Sequence, residues 1–307
     1  MTRTIPFLLV AAALCAAAHA RSADMSADVS ADKARANFAR PIVLAADDVR
    51  AYPPPPAGFA DAQPGATHGK VETFTYQSVV TGTRRAANVY LPPGYDKGRR
   101  YPVLYLLHGI GGNQDEWRWY VRATEVLDNL AAAGKVVPMI VVMPNGRALA
   151  DDRPPPEDKV FTPENAAGFA RFERDLLESL IPAVDAAYPT QADAAHRAIG
   201  GLSMGGGQAL NFGLGHPQAF NYVAGFSPAP NTGDPALLAQ EAAQARGQLK
   251  LVYLSCGNRD GLINVVQGVH RKLREQGVAH VWNVDESGHD RESWAENLYH
   301  YAQLLFR

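Results

Sequence analysis

Four near-continuous apolar runs, at residues 101–107, 136–143, 222–226 and 249–256, constrain this chain more than any other feature. Runs of that length without polar alternation suit strands covered on both faces, as in a parallel sheet. Helical stretches separate them. Residues 117–133 read as one helix, and Phe169, Phe172, Leu176 and Leu180 mark the apolar face of a second. Residues 265–275, ended by Gly277, and residues 293–306 read as two more. Ahead of these, residues 71–79 and 84–91 flank Thr81-Gly82-Thr83 as an antiparallel hairpin. Strand alternating with helix implies an α/β fold, a mostly parallel, doubly wound sheet in a single domain.

The domain is expected over residues 66–307. The first twenty residues are of another kind. Arg3 precedes an apolar run over residues 7–18, and Ala18-His19-Ala20 places small residues at a cleavage point. Residues 1–20 therefore read as a secretory signal peptide, and the protein as periplasmic or extracellular. Leu14 and Ala12 stand before Cys15 in the reverse of a lipobox arrangement, so lipidation is not expected. Residues 21–65, rich in Ala, Asp and Pro and including Pro53 to Pro56, read as a poorly ordered arm. Without the signal peptide one cysteine remains, Cys256, which makes no internal disulfide and sits in an apolar run that suits a buried, inert thiol. A net charge of -2 offers no basic excess for nucleic acid. Nothing after residue 20 is apolar for long enough to span a bilayer.

Chemistry concentrates in three loops, each after a strand. Gly201-Leu202-Ser203-Met204-Gly205 is a G-x-S-x-G motif between a short apolar approach and a plausible helix over residues 208–214. That context suits a nucleophile on a strained strand-to-helix turn, where glycines leave room for a close backbone crossing. A serine hydroxyl needs a base, itself oriented by a carboxylate. Among the later histidines, His289 has a loop position just past a strand, in Gly288-His289-Asp290. Asp260, directly after the apolar run ending at Cys256, is the best acid, with a second reading as a helix N-cap. Asp285 and Glu286 are rivals too near His289 in sequence, and Asp234 is a weaker rival in a Pro-rich loop. Leu107-His108-Gly109-Ile110-Gly111-Gly112 follows the first run, and a glycine-rich loop there lets backbone N–H groups face a substrate oxygen. The oxyanion hole is assigned to the N–H groups of Ile110 and Met204, with His108 bracing the loop. Residues 145–165, acidic and Pro-rich, form a long loop after a strand, either a rim or lid over the site or a solvated insertion.

With these motifs the chain, from about His68 onward, resembles the bacterial feruloyl esterases of carbohydrate esterase family 1, grouped with esterase D and enterochelin-esterase-like proteins. The likeness lies in Val89 to Tyr95, Tyr105 to Gly112, His196 to Ile199 leading into the serine motif, Ala229 to Thr232, Cys256-Gly257 with Asp260, and Gly288-His289-Asp290 with Trp294. The resemblance implies an α/β-hydrolase with Ser203, Asp260 and His289 as nucleophile, acid and base. It also implies that Trp294 lines an aromatic acyl pocket and that the substrate is a hydroxycinnamoyl or acetyl ester on plant polysaccharide. Residues 151–159 look inserted relative to those members, and residues 285–287 replace the glycine-rich run expected before the histidine.

The expected reaction is acyl transfer to water through a covalent intermediate, needing no metal or organic cofactor; no H-x-x-x-H spacing suggests zinc. Three other readings share these residues. An acyltransferase would use an alcohol in place of water, a siderophore or peptide esterase would differ only in substrate, and a non-catalytic carbohydrate-binding protein would keep the fold alone.

Overall fold

Residues 29–307 are described by a computed structural model; the expected signal peptide at 1–20 lies outside the described residues. Eight strands form one sheet. β1 (Lys70–Gln77) and β2 (Arg84–Leu91) make the antiparallel hairpin. They are followed by β3 (Val103–Leu107), β4 (Ile140–Pro144), β5 (Arg197–Leu202), β6 (Tyr222–Phe226), β7 (Leu251–Gly257) and β8 (Val281–Asp285). The order is β1-β2-β4-β3-β5-β6-β7-β8, antiparallel as far as the β2–β4 pair and parallel beyond it. This is the mostly parallel sheet that the alternating pattern implied, in the α/β-hydrolase arrangement that the resemblance implied. All residues of β3, β4, β5 and β6 are buried, which is why these strands lack polar alternation.

Helices cover both faces. They are α1 (Ala31–Phe38), α2 (Ala123–Ala132), α3 (Pro163–Asp175), α4 (Ile181–Ala187), α5 (Ser203–Gly215), α6 (Pro235–Gln244), α7 (Ile263–Glu275) and α8 (Arg291–Leu304). Alternate residues of β3 feed opposite cores, as the period of a strand requires. Tyr105 and Leu107 join Phe172, Leu210 and Val269 on one face; Leu104 and Leu106 join Trp117, Leu127 and Leu298 on the other.

Two expectations are corrected. The helix read over residues 117–133 is broken. Glu116–Tyr120 forms one wide turn, Arg122 takes φ 63°, and α2 begins only afterwards. Trp117 is the cause on the protein side: its indole N–H donates to the Leu107 carbonyl at 2.9 Å, tying the turn to the end of β3. The arm read as poorly ordered is fastened from residue 29 onward. Ser30 Oγ accepts the Lys33 N–H and caps α1. Asp48 accepts from the Trp282 indole at 3.0 Å and from Gln267 at 2.6 Å, Val49 O accepts from Val284 N at 3.1 Å, and Phe59 stands edge-on to Tyr299. Single anchors of this kind leave no mark on composition. No described helix is long and apolar enough to cross a membrane.

Residues 145–153 are held from below by a buried cation. The Arg85 guanidinium on β2 pairs with Asp175 of α3 and with Asp152 at 3.1 Å, and donates to the Asn145 and Arg147 carbonyls. Arg85 and Asp175 side chains are both 0% exposed. Asp175→Ala would leave a buried guanidinium without the buried one of its two carboxylate partners. The expected cost is about 3–5 kcal/mol of unfolding free energy, read from urea denaturation. A loss below about 1 kcal/mol would mean water reaches Arg85 and the network is not closed.

Candidate active site

The parallel strands all point their C-terminal ends to one edge, the position where α/β folds gather functional loops. Ser203 leaves β5, Asp260 leaves β7 and His289 leaves β8 on that edge. Ser203 itself starts α5 and takes φ 51°, a left-handed conformation that costs a non-glycine residue roughly 1–3 kcal/mol. The glycines around it are required by space. A methyl group at Gly201 would lie 2.2 Å from the Gly205 carbonyl oxygen, and one at Gly205 would lie 2.4 Å from that of Leu107. No side chain fits at either point.

Three residues distant in sequence meet here. Asp260 Oδ2 accepts from His289 Nδ1 at 2.8 Å, and His289 Nε2 faces Ser203 Oγ at 2.8 Å. A carboxylate can only accept, so Nδ1 carries the imidazole proton and Nε2 is the acceptor for the serine hydroxyl. Asp260 is 0% exposed. Burial pushes its carboxyl upward, but the bond to His289, the charge of that ring and the Leu262 N–H together hold it below the usual carboxylate range. Asp260 also accepts from the Cys256 thiol at 3.4 Å. The buried Cys256 is thus in contact with the acid, and burial pushes its thiol well up.

The rival acids are engaged elsewhere. Asp285 accepts from Ser287 N, Ser293 Oγ and Asn297 Nδ2. Asp234 caps α6 through the Ala236 and Leu237 N–H groups, and Glu286 lies 3.9 Å from Arg50.

The glycine-rich loop after β3 lies against the serine, since a methyl group at Gly109 would be 3.6 Å from Ser203 Cβ. Ile110 and Met204 pack into one small apolar cluster with Ala166, Phe169 and Val29. At its start α5 has N–H groups without helical partners, as every helix does, and Met204 is among them. His108 is fully buried. Its Nδ1 donates to Gly109 O at 2.7 Å and its Nε2 accepts from Gly146 N at 2.8 Å, which braces the loops after β3 and β4. Burial pushes its pKa down to about 4, so it stays neutral.

Glu116 was not legible as part of this site. Its carboxylate accepts the Gly109 N–H at 2.7 Å, fixing the start of the loop. Burial raises its pKa, while the Gly109 bond and the His289 charge oppose that. In sequence it is one more polar residue at the start of an apparent helix, and nothing in the spacing singles it out. Phe38 was also missed, although Ser30 with Asp32 in the following turn is a usable N-cap signal for α1.

His289 lies between two aromatic rings. Trp294 stands edge-on at 5.2 Å between centroids and Phe38 at 5.0 Å. Trp294 is only 5% exposed, with Tyr120 packed against it at 6.2 Å, so little of its face is open to a ligand. The cluster as a whole can deliver a serine alkoxide to a carbonyl carbon and return the proton to a leaving group.

Comparison with known proteins agrees with this chemistry. The Esterase family model, described as "Putative esterase", matches residues 78–303. An "Endo-1,4-beta-xylanase/feruloyl esterase" of Xylanibacter ruminicola is 34% identical over 246 residues, covering 78% of this chain and 32% of that protein. The chain thus spans about a third of that relative's length. A ferulic acid esterase of Anaeromyces mucronatus, solved with ferulic acid, superposes with a TM-score of 0.73 at 24% identity, covering 86% of this chain and 98% of its own, a likeness of fold. A second ferulic acid esterase structure superposes with a TM-score of 0.63 at 28% identity, covering 77% and 97%. The chain belongs to the Esterase family, as a feruloyl-esterase-like α/β-hydrolase.

Proposed function

We propose that this protein is an exported serine carboxylesterase that cleaves hydroxycinnamoyl or acetyl esters of plant polysaccharide. Ser203 is the nucleophile, His289 the base, Asp260 the orienting acid, and the N–H groups of Ile110 and Met204 form the oxyanion hole. One observation supports this reading above the others, the unbroken hydrogen-bonded row from a buried carboxylate through an imidazole to a strained serine, 2.8 Å at each link.

In the first half-reaction His289 Nε2 takes the Ser203 proton as Oγ attacks the ester carbonyl. The new imidazolium keeps its Nδ1 bond to Asp260, and the oxyanion accepts from the two backbone donors. His289 then hands the proton to the departing alcohol. Water repeats the sequence on the acyl-enzyme, with the same ring as base and then acid. Glu116 and His108 hold the donor loop through the Gly109 N–H and carbonyl, and Trp294 packs edge-on against the His289 ring. No cofactor takes part in these steps. The polysaccharide ester is favoured because the matching relatives are named as feruloyl esterases. Residues 1–20 direct the chain to the periplasm or medium.

Purified protein assayed side by side on methyl ferulate, acetylated xylan and a siderophore ester tests the substrate class. Turnover on one of the first two, with stoichiometric labelling by a fluorophosphonate, is the expected result. Absence of labelling would reject an activated serine and favour a binding protein on this fold.

A further inference from the structure

The segment Ala229 to Thr232 takes no part in the proposed reaction, yet it lies against the start of α5. The Ala229 N–H donates to the Ser203 carbonyl at 3.0 Å, and Asn231 Nδ2 donates to the Met204 carbonyl at 2.8 Å. Asn231 is itself held, since its own carbonyl accepts from Asn211 Nδ2 of α5 at 2.9 Å. A methyl group at Gly207 would be 2.4 Å from Asn231 Oδ1, so the third glycine after Ser203 leaves room for this side chain.

The loop after β3 is held in the same way. The Gly109 carbonyl accepts from His108 Nδ1 at 2.7 Å, and the Ile110 carbonyl accepts from Asn165 Nδ2 at 3.3 Å. Asn165 stands in the first turn of α3, where Thr162 Oγ1 accepts its backbone N–H at 3.3 Å. Its Nδ2 also donates to the Val160 carbonyl at 2.8 Å.

A trans peptide is planar, so its N–H points opposite to its carbonyl. The Met204 N–H shares a peptide with the Ser203 carbonyl, and the Ile110 N–H shares one with the Gly109 carbonyl. Fixing those two carbonyls aims the two N–H groups. Only two soft torsions separate one peptide plane from the next, so fixing the following carbonyl, at Met204 and at Ile110, closes the remaining freedom. Each donor residue is thus clamped on both sides, and in each the second clamp is a side-chain amide. Both amides are buried, Asn165 at 3% exposure and Asn231 at 7%. Their Oδ1 atoms have no partner among the described residues, so the nitrogen bonds orient them. A carbonyl can only accept, which places Nδ2 rather than Oδ1 against it.

We propose that Asn165 and Asn231 are positioning residues of the oxyanion hole, each locking one donor residue from its carbonyl side. The proposal rests on the assignment of Ile110 and Met204 as the donors. Neither asparagine enters a proton transfer. Each acts through a backbone N–H whose bond to the substrate oxygen strengthens as charge develops there, so its effect falls on the transition state more than on the bound ester. Asn165 also joins the end of the stretch 145–165 to the donor loop.

The test measures kcat and KM on 4-nitrophenyl acetate, counted per serine titrated with a fluorophosphonate, and inhibition by a trifluoromethyl ketone. Ser203 Oγ bonds to the ketone carbon, the hydroxyl proton passes to His289 Nε2, and the carbonyl electron pair ends on oxygen as an anion facing the donors. Losing a whole donor costs about 10²–10³ in turnover, and a donor kept but loosened costs less. Asn165→Ala and Asn231→Ala are each expected to lower kcat by about ten-fold with KM nearly unchanged, and to weaken the ketone by a similar factor. Asn129→Ala is the control. That side chain donates to the Phe59 and Asp61 carbonyls, and its loss should move neither kcat nor ketone binding. The two asparagines sit in different segments, so a variant that fails to fold leaves the other to decide. Wild-type kcat and ketone affinity in a folded variant would overturn the proposal. So would a fall in kcat with ketone affinity kept, or an equal loss in Asn129→Ala, since either marks a packing effect. A wild type that binds the ketone no better than its ester would instead remove Ile110 and Met204 as donors. One that neither turns over nor labels would remove the esterase reading itself.

Discussion

Ser203→Ala is expected to lower kcat for ester hydrolysis by roughly 10⁶-fold, with the fold unchanged. Among the described residues the serine side chain has one hydrogen-bond partner, the partly exposed ring of His289, so its removal leaves no buried group stranded in the interior. The strained turn is set by backbone contacts at Gly201 and Gly205, which an alanine at 203 does not disturb. His289→Ala should fall by a similar factor, and the double variant by little more than either single one, because the two act as a unit in a single proton transfer. Initial-rate kinetics on the best ester, together with a melting curve, measure both effects. A well-folded Ser203→Ala protein within ten-fold of wild type would remove the nucleophile from the proposal.

Asp260→Asn is expected to lower kcat by about 10⁴-fold. The loss would come from the tautomer. A carboxylate requires Nδ1 to carry the proton, leaving Nε2 free to accept from Ser203. An amide can donate to Nδ1, which moves the ring proton to Nε2 and removes the base. The asparagine oxygen can still accept the Leu262 N–H that Asp260 Oδ1 accepts at 2.8 Å, so the turn should survive. Asp285→Asn is the matched control. Its partners are Ser287, Ser293 and Asn297, and its substitution should disturb stability without abolishing the base. If Asp285→Asn or Asp234→Asn proves the more damaging to kcat, the orienting acid is misassigned.

Much of the sheet was legible because its strands are buried on both faces. β3, β4, β6 and β7 are buried over nearly their whole length, so burial writes itself into the sequence as near-continuous apolar runs. The serine turn was legible for a related reason: a steric demand for no side chain at 201 and 205 has one solution among the amino acids, glycine. The break at Arg122 was not legible. It follows from the long-range bond between Trp117 and the Leu107 carbonyl, and local spacing carries no trace of a partner ten residues away. The fastening of residues 43–59 was hidden likewise, since Asp48 and Phe59 resemble any surface residues until Trp282, Gln267 and Tyr299 are brought beside them.

By itself the sequence determined the strand-and-helix alternation and the order of the motif-bearing loops, and it offered Ser203, His289 and a short set of acids led by Asp260 as candidates. These depend on local sterics and on burial, which act through neighbours along the chain. Tertiary structure alone decided that Asp260 rather than Asp285 meets His289, that Glu116 holds the Gly109 loop, and that α1 brings Phe38 against the base. The Asp260–His289 and Phe38–His289 contacts join segments far apart in the chain and exist only once the sheet has closed, while Glu116 reaches Gly109 across a turn whose path local spacing does not reveal.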